Sequence, residues 1–131
     1  MTERPIFYQQ IIVQPGDIDE LGHVSNIVYL RWVQEIATAH WHAVARPDDI
    51  ARFVWVVNRH EIDYTRATHA GESLRLTTWV GTPKGARFDR FVEISGADGI
   101  IRARARTVWA LVDKISHRAL RIPAEVAAPF L

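Results

Sequence analysis

Two aspartates, a glycine turn and an imidazole stand together in Gly16-Asp17-Ile18-Asp19-Glu20-Leu21-Gly22-His23-Val24-Ser25-Asn26, which runs straight into an apolar periodic segment beginning near Ile27. The first turn of a helix carries backbone N–H groups that have no partner inside the helix, and these favour negative charge developing beside them. A carboxylate at such a place can attack a carbonyl or activate water, and the amides can hold the oxyanion that forms, so the segment reads as equipment for hydrolysis. The bland alternative for both aspartates is a solvated turn or a helix-entry cap.

Other polar side chains offer less. His40 and His42 are two apart on a helix and point to different sides, so they do not form a metal pair. Asp17, Asp19 and His23 on one loop lack the ligand spacing that marks true metal sites, and no metal is expected. His60 and Glu61 are neighbours on a strand and face opposite ways, so at most one can approach a helix-lined site. His60 is expected to be a hydrogen-bonded core residue, while His69 and His117 fall in turns where exposure is the default. Arg102, Arg104 and Arg106 alternate along one strand and are read as sharing one face that solvates the outer side of a sheet.

The elements that must position these groups are marked by period and punctuation. Residues 6–14 alternate apolar and polar and are stopped by Pro15-Gly16, which predicts a strand. Leu30, Val33, Ile36 with Ala37, Trp41 and Val44 recur at helical spacing from about Ser25 to Ala45, with Ser25 or Asn26 as cap and Pro47 as the stop. After a short polar turn at Asp48-Asp49 come four β-rich runs: 53–65, 73–80, 87–95 and 100–112. Glycines 71, 81, 96 and 99 and Pro83 separate them. The tail from Ile122-Pro123 is expected to form one last helical turn. One helix cannot hide both faces of five strands, so a curved antiparallel sheet wrapped around a buried helix is expected, with self-association covering the remainder. Trp32, Trp41, Trp55, Trp79 and Trp109 suit that need for large buried or interfacial area and are read chiefly as core.

Composition bounds the possibilities. The 131 residues make one domain's worth of chain, read as a single domain over 1–131. Sixteen Lys and Arg against fifteen Asp and Glu leave a formal charge of +1, so there is no bulk attraction to nucleic acid or to an anionic membrane. With no cysteine there is neither a disulfide nor a thiolate metal site. No signal-peptide pattern and no apolar run of the roughly 20 residues that span a bilayer is present, so a soluble, cytoplasmic protein is expected.

The order of elements, together with Asp17-Ile18-Asp19, Gly22-His23-Val24-Ser25-Asn26 and Tyr29-Leu30-Arg31-Trp32, resembles the hotdog-fold acyl-CoA thioesterases related to 4-hydroxybenzoyl-CoA thioesterase. The likeness continues through His60-Glu61-Ile62-Asp63-Tyr64, Gly71-Glu72 and the carboxyl end from Asp113 to Pro123, and so covers nearly the whole chain. It implies an α+β hotdog fold, a five-stranded curved antiparallel sheet around one long helix. It further implies a homodimer whose sheets join edge to edge, often paired again into a homotetramer, with active sites between subunits.

The resemblance also implies roles. The second aspartate of the Asp-x-Asp stretch, here Asp19, is the family's catalytic base or nucleophile on a thioester, whereas Asp17 is read as structural. In related plant acyl-carrier-protein thioesterases a histidine at the place of His23 belongs to the site, and a glutamate on the following strand corresponds to Glu61. The chain departs from those enzymes at Leu21, where they have asparagine, and from many bacterial relatives at Gln34, where they have glutamate. Thioester hydrolysis needs oxyanion donors, expected from the amides of Val24, Ser25 and Asn26, and needs neither metal nor cofactor. An acyl-CoA substrate carries phosphates, for which Arg66, Lys84 and Arg87 are the candidate partners, together with Arg102, Arg104 and Arg106 if that face does more than solvate the sheet. Two rivals stay open at this point: a hotdog hydratase or dehydratase, although its Asn-Pro motif is absent, and a non-catalytic acyl-CoA-binding module.

Overall fold

The computed structural model describes residues 4–131. Strand β1 (Phe7–Ile12) is followed by a short 3-10 turn at Pro15–Asp17, the long helix α1 (Asn26–Val44), a short helix α2 (Pro47–Arg52), and strands β2 (Phe53–Tyr64), β3 (Ser73–Val80), β4 (Arg87–Gly96) and β5 (Ile101–Asp113). A four-residue helical turn, α3 (Ala124–Ala127), closes the tail. The strands form one antiparallel sheet in the order β1-β3-β4-β5-β2, which curves around α1. This is the hotdog architecture the sequence led to. One detail differs: the expected turn at Asp48-Asp49 is helical, because Pro47 fits the first position of a helix and Asp49 is held by Arg46 at 2.9 Å.

Helix α1 forms because its apolar residues return every three or four positions, and Ser25 caps it by accepting the Ile27 N–H at 3.2 Å. Val28, Tyr29, Trp32, Val33 and Ile36 press its first half onto Leu74, Leu76, Val92 and Ile94 of the sheet. Trp41 carries the second half into a separate cluster with Phe53, Phe88, Leu111 and the tail residues Val126 and Phe130. None of the described helices is long and apolar enough to cross a membrane.

Two bulges decide which side chains meet the helix. Between Val57 and Arg59 the pairing of β2 with β5 slips by one residue at Asn58. Phe53 and Trp55 pack inward before the slip, and His60 and Ile62 do so after it. A second slip, between Ile94 and Ser95, lies opposite residues 101–103. It corrects the reading that Arg102, Arg104 and Arg106 share a face. Arg102 is buried between Glu72 (3.0 Å) and Asp98 (3.2 Å), close enough to Tyr29 for its charge to act on that phenol. Arg104 and Arg106 instead pair with Glu93 and Asp89 on the outer face.

Candidate active site

Local backbone chemistry builds the loop that enters α1. The Asp19 N–H donates to His23 O (3.0 Å) and the Gly22 N–H to Asp19 O (3.0 Å), closing a tight turn in which Gly22 takes φ +84°. Such an angle is open to glycine at little cost. The two aspartates then part company. Asp17 is buried; its carboxylate accepts the Gln14 N–H (2.9 Å) and the Arg31 guanidinium (3.0 Å), and so ties β1 to α1. Asp19 is exposed in the single chain, and among the described residues its carboxylate accepts only the Leu21 N–H, at 2.9 Å.

The expectation of three open amides needs correction. The Val24 N–H already donates to Thr68 O (2.8 Å) and the Ser25 N–H to Asp17 O (3.1 Å). Of the three, only the Asn26 N–H has no partner among the described residues. The acceptor at Thr68 belongs to the loop between β2 and β3, which also receives the Tyr29 hydroxyl on Thr68 Oγ1 at 2.8 Å. That loop brings His69 edge-on to half-buried His23, ring centroids 6.4 Å apart, and it carries Arg66. Asp19, His23, Asn26 and Arg66 thus belong to one cluster of loops at the start of α1. Tyr64, at the end of β2, reaches the same corner and donates to Asn26 O at 3.4 Å.

Glu61, Lys84 and Arg87 are not brought there. The bulge at Asn58 turns Glu61 to the outer face, where it pairs with Arg59 and, at 3.5 Å, with Arg106. Lys84 and Arg87 line an outer-face cleft of about 370 Å³ with Asn58, Arg59 and Arg106. His60, the inward neighbour of Glu61, rests its Nδ1 3.0 Å from Thr107 Oγ1, and burial lowers its pKa.

The residues alone did not point to a slot at the other end of α1. A cavity of about 220 Å³ lies there, walled by Trp41, Trp55, Phe88, Trp109 and Phe130, with Arg90 along it. Its tryptophans are the ones that the sequence marks chiefly as core. The available signal was the alternation of β4, in which Arg90 takes an inward position between Phe88 and Val92. Helix α1 rises about 1.5 Å per residue, so the slot residues Ala37 to His42 lie roughly 17–24 Å along it from Asn26. Loop cluster and slot are therefore far apart within one chain.

Comparison with known proteins bears on the fold and the family. A cotton (Gossypium hirsutum) chloroplastic palmitoyl-acyl carrier protein thioesterase is 35% identical over 132 residues, covering 92% of this chain. The chain spans only about a third, 32%, of that relative's length. Among solved structures, a 1,4-dihydroxy-2-naphthoyl-CoA thioesterase from Synechocystis superposes with a TM-score of 0.82 at 20% identity, over 96% of both chains. A Staphylococcus aureus protein solved in complex with CoA superposes with a TM-score of 0.86 at 12% identity, over 98% of this chain and 84% of the other. The family model of the thioesterase-like superfamily matches residues 13–130. A hotdog sheet around one helix, matched by that model over nearly its whole length, makes this chain a member of the thioesterase-like superfamily.

Proposed function

We propose that residues 1–131 act as one domain that hydrolyses acyl-CoA thioesters, R-CO-S-CoA plus water giving R-COOH and HS-CoA, with Asp19 as general base or nucleophile. The observation that carries this reading is the loop that enters α1, which holds both a lightly bonded carboxylate, Asp19, and an amide, Asn26 N–H, with no partner among the described residues. As base, Asp19 takes a proton from water as its oxygen bonds to the carbonyl carbon, and returns it to the departing sulfur. As nucleophile its oxygen bonds to the carbonyl carbon as the C–S bond breaks and CoA thiolate leaves, and water then cleaves the resulting anhydride, freeing the Asp19 carboxylate and R-COOH and giving its other proton to the thiolate. In either route the Asn26 N–H and His23 stabilise the oxyanion. CoA bound to a structural neighbour supports a CoA ester as the substrate.

The separation of loop and slot argues for a homodimer, itself free to pair again into a tetramer. Strand β2 is an edge of the sheet, with unpaired backbone groups along one side. A twofold axis pairs it with its own copy antiparallel. The Tyr64 end, beside Asn26, then meets the partner's opposite end, where the equivalents of Phe53 and Trp55 wall the slot. Asp19 of one protomer thereby faces the acyl slot of the other. Arg66, Lys84 and Arg87 make no ion pair among the described residues, so each has charge to offer a CoA phosphate.

Thiol release from a panel of acyl-CoAs, run on wild type and Asp19→Asn, tests the reading. Release by the wild type and its loss in the variant are expected. Absorbance change without thiol would indicate a hydratase, and binding without either a carrier module; both would overturn it.

A further inference from the structure

The acyl slot holds a buried cation with no anion. Arg90 is only 8% exposed, and its Nη1 donates to His40 Nδ1 (2.8 Å) and Thr78 Oγ1 (3.0 Å), both uncharged acceptors. Burial and the neighbouring guanidinium hold His40 neutral, with a pKa of about 4, so it brings no charge of either sign. No carboxylate lies within ion-pair distance of Arg90 among the described residues. Asp89, the one carboxylate along the slot, is bonded instead to Arg106 on the outer face. Arg102 makes the contrast: it is equally buried, and two carboxylates meet it.

A second, independent group points the same way. The indole Nε1 of Trp109 is buried without a hydrogen-bond partner among the described residues, and Trp109 lines the same slot. A guanidinium with no counter-charge and an indole N–H with no acceptor among the described residues are both costly to bury, and each is relieved by an oxygen acceptor. A carboxylate suits them best, since a guanidinium binds it through paired charge-assisted hydrogen bonds. The space is adequate: about 220 Å³ exceeds the roughly 150 Å³ that accommodates benzene in an engineered cavity.

We infer that the slot selects acyl groups ending in a carboxylate, so that the preferred substrates are CoA monothioesters of short dicarboxylic acids. The inference rests on the hydrolase reading for its thioester end, while the choice of acyl terminus is a matter of binding and can be measured without turnover. Two non-hydrolysable thioethers separate the questions, S-hexyl-CoA and S-(5-carboxypentyl)-CoA, each titrated calorimetrically into the full chain. At least tenfold tighter binding of the carboxylate is expected. Arg90→Met should abolish that preference, and Trp109→Phe, which keeps an aromatic ring but lacks the N–H, should reduce it severalfold even if the Arg90 variant fails to fold. Equal affinity, tighter binding of the hexyl compound, or a preference undiminished in Trp109→Phe would overturn the inference. Absence of thiol release from adipoyl-CoA and hexanoyl-CoA alike, with the thioether preference intact, would sink the hydrolase reading and leave the slot assignment standing.

Discussion

Asp17 and Asp19 are the same residue type two positions apart on one loop, yet one is buried and the other exposed. Asp17 is buried and bonded to a backbone amide and a guanidinium, so Asp17→Ala is expected to lower stability by about 1.5–3 kcal/mol, read from urea unfolding. Asp19 accepts a single exposed N–H, so Asp19→Asn should leave the unfolding midpoint nearly unchanged while thiol release falls roughly 10²- to 10⁴-fold. The division was legible in part, because the residue types and the turn are local. The fate of the amides was not. The oxygen that occupies the Val24 N–H belongs to Thr68, more than forty residues along the chain, and no local pattern announces such a partner. Arg90 was overlooked for a related reason: its inward position could be read from β4, but the missing counter-charge is a property of four packed elements.

At the scale of elements, the helix and all five strands could be read from hydrophobic period and turn residues, which are local signals that tertiary packing here reinforces. Bulges leave no such mark. Strict alternation from Phe53, Trp55 and Val57 would carry Glu61 inward, and the extra residue at Asn58 sends it out and brings His60 in. Helix α1 meets the sheet through a polar contact whose pH dependence follows from burial. His40 has a pKa of about 4 in the folded chain, against an ordinary 6.5 when unfolded. The unfolded chain takes up the proton first, so stability is full above about pH 6.5 and is lost progressively as pH falls towards 4. Between pH 7 and pH 5 the loss attributable to His40 is about 2 kcal/mol. His40→Gln retains an acceptor for Arg90 but does not titrate, so urea unfolding at those two pH values should show a correspondingly smaller drop than in wild type. An equal drop would place the acid sensitivity elsewhere.

At the scale of the whole molecule, the proposed homodimer pairs the β2 edge of one protomer with that of its partner. One helix cannot cover a five-stranded sheet, which is the ground for expecting association, and the proposed use of a partner's slot rests on the distance along α1. The cations assigned to CoA supply a check at this scale. Arg66→Ala, and separately Lys84→Ala with Arg87→Ala, should raise KM for an acyl-CoA with little change in kcat, because a phosphate far from the carbonyl contributes equally to ground and transition states. A fall in kcat at constant KM would assign those residues to the chemistry instead.

Co-expression of two defective protomers tests the central claim most directly. One carries Asp19→Asn with an open slot, and the other carries Thr38→Trp, which fills the slot and leaves Asp19 in place. Each alone should release almost no thiol. Mixed dimers contain one site with both working halves, so the mixture should recover up to about a quarter of wild-type activity. Activity no greater than that of the separate variants would contradict a catalytic Asp19 facing the neighbouring protomer's slot.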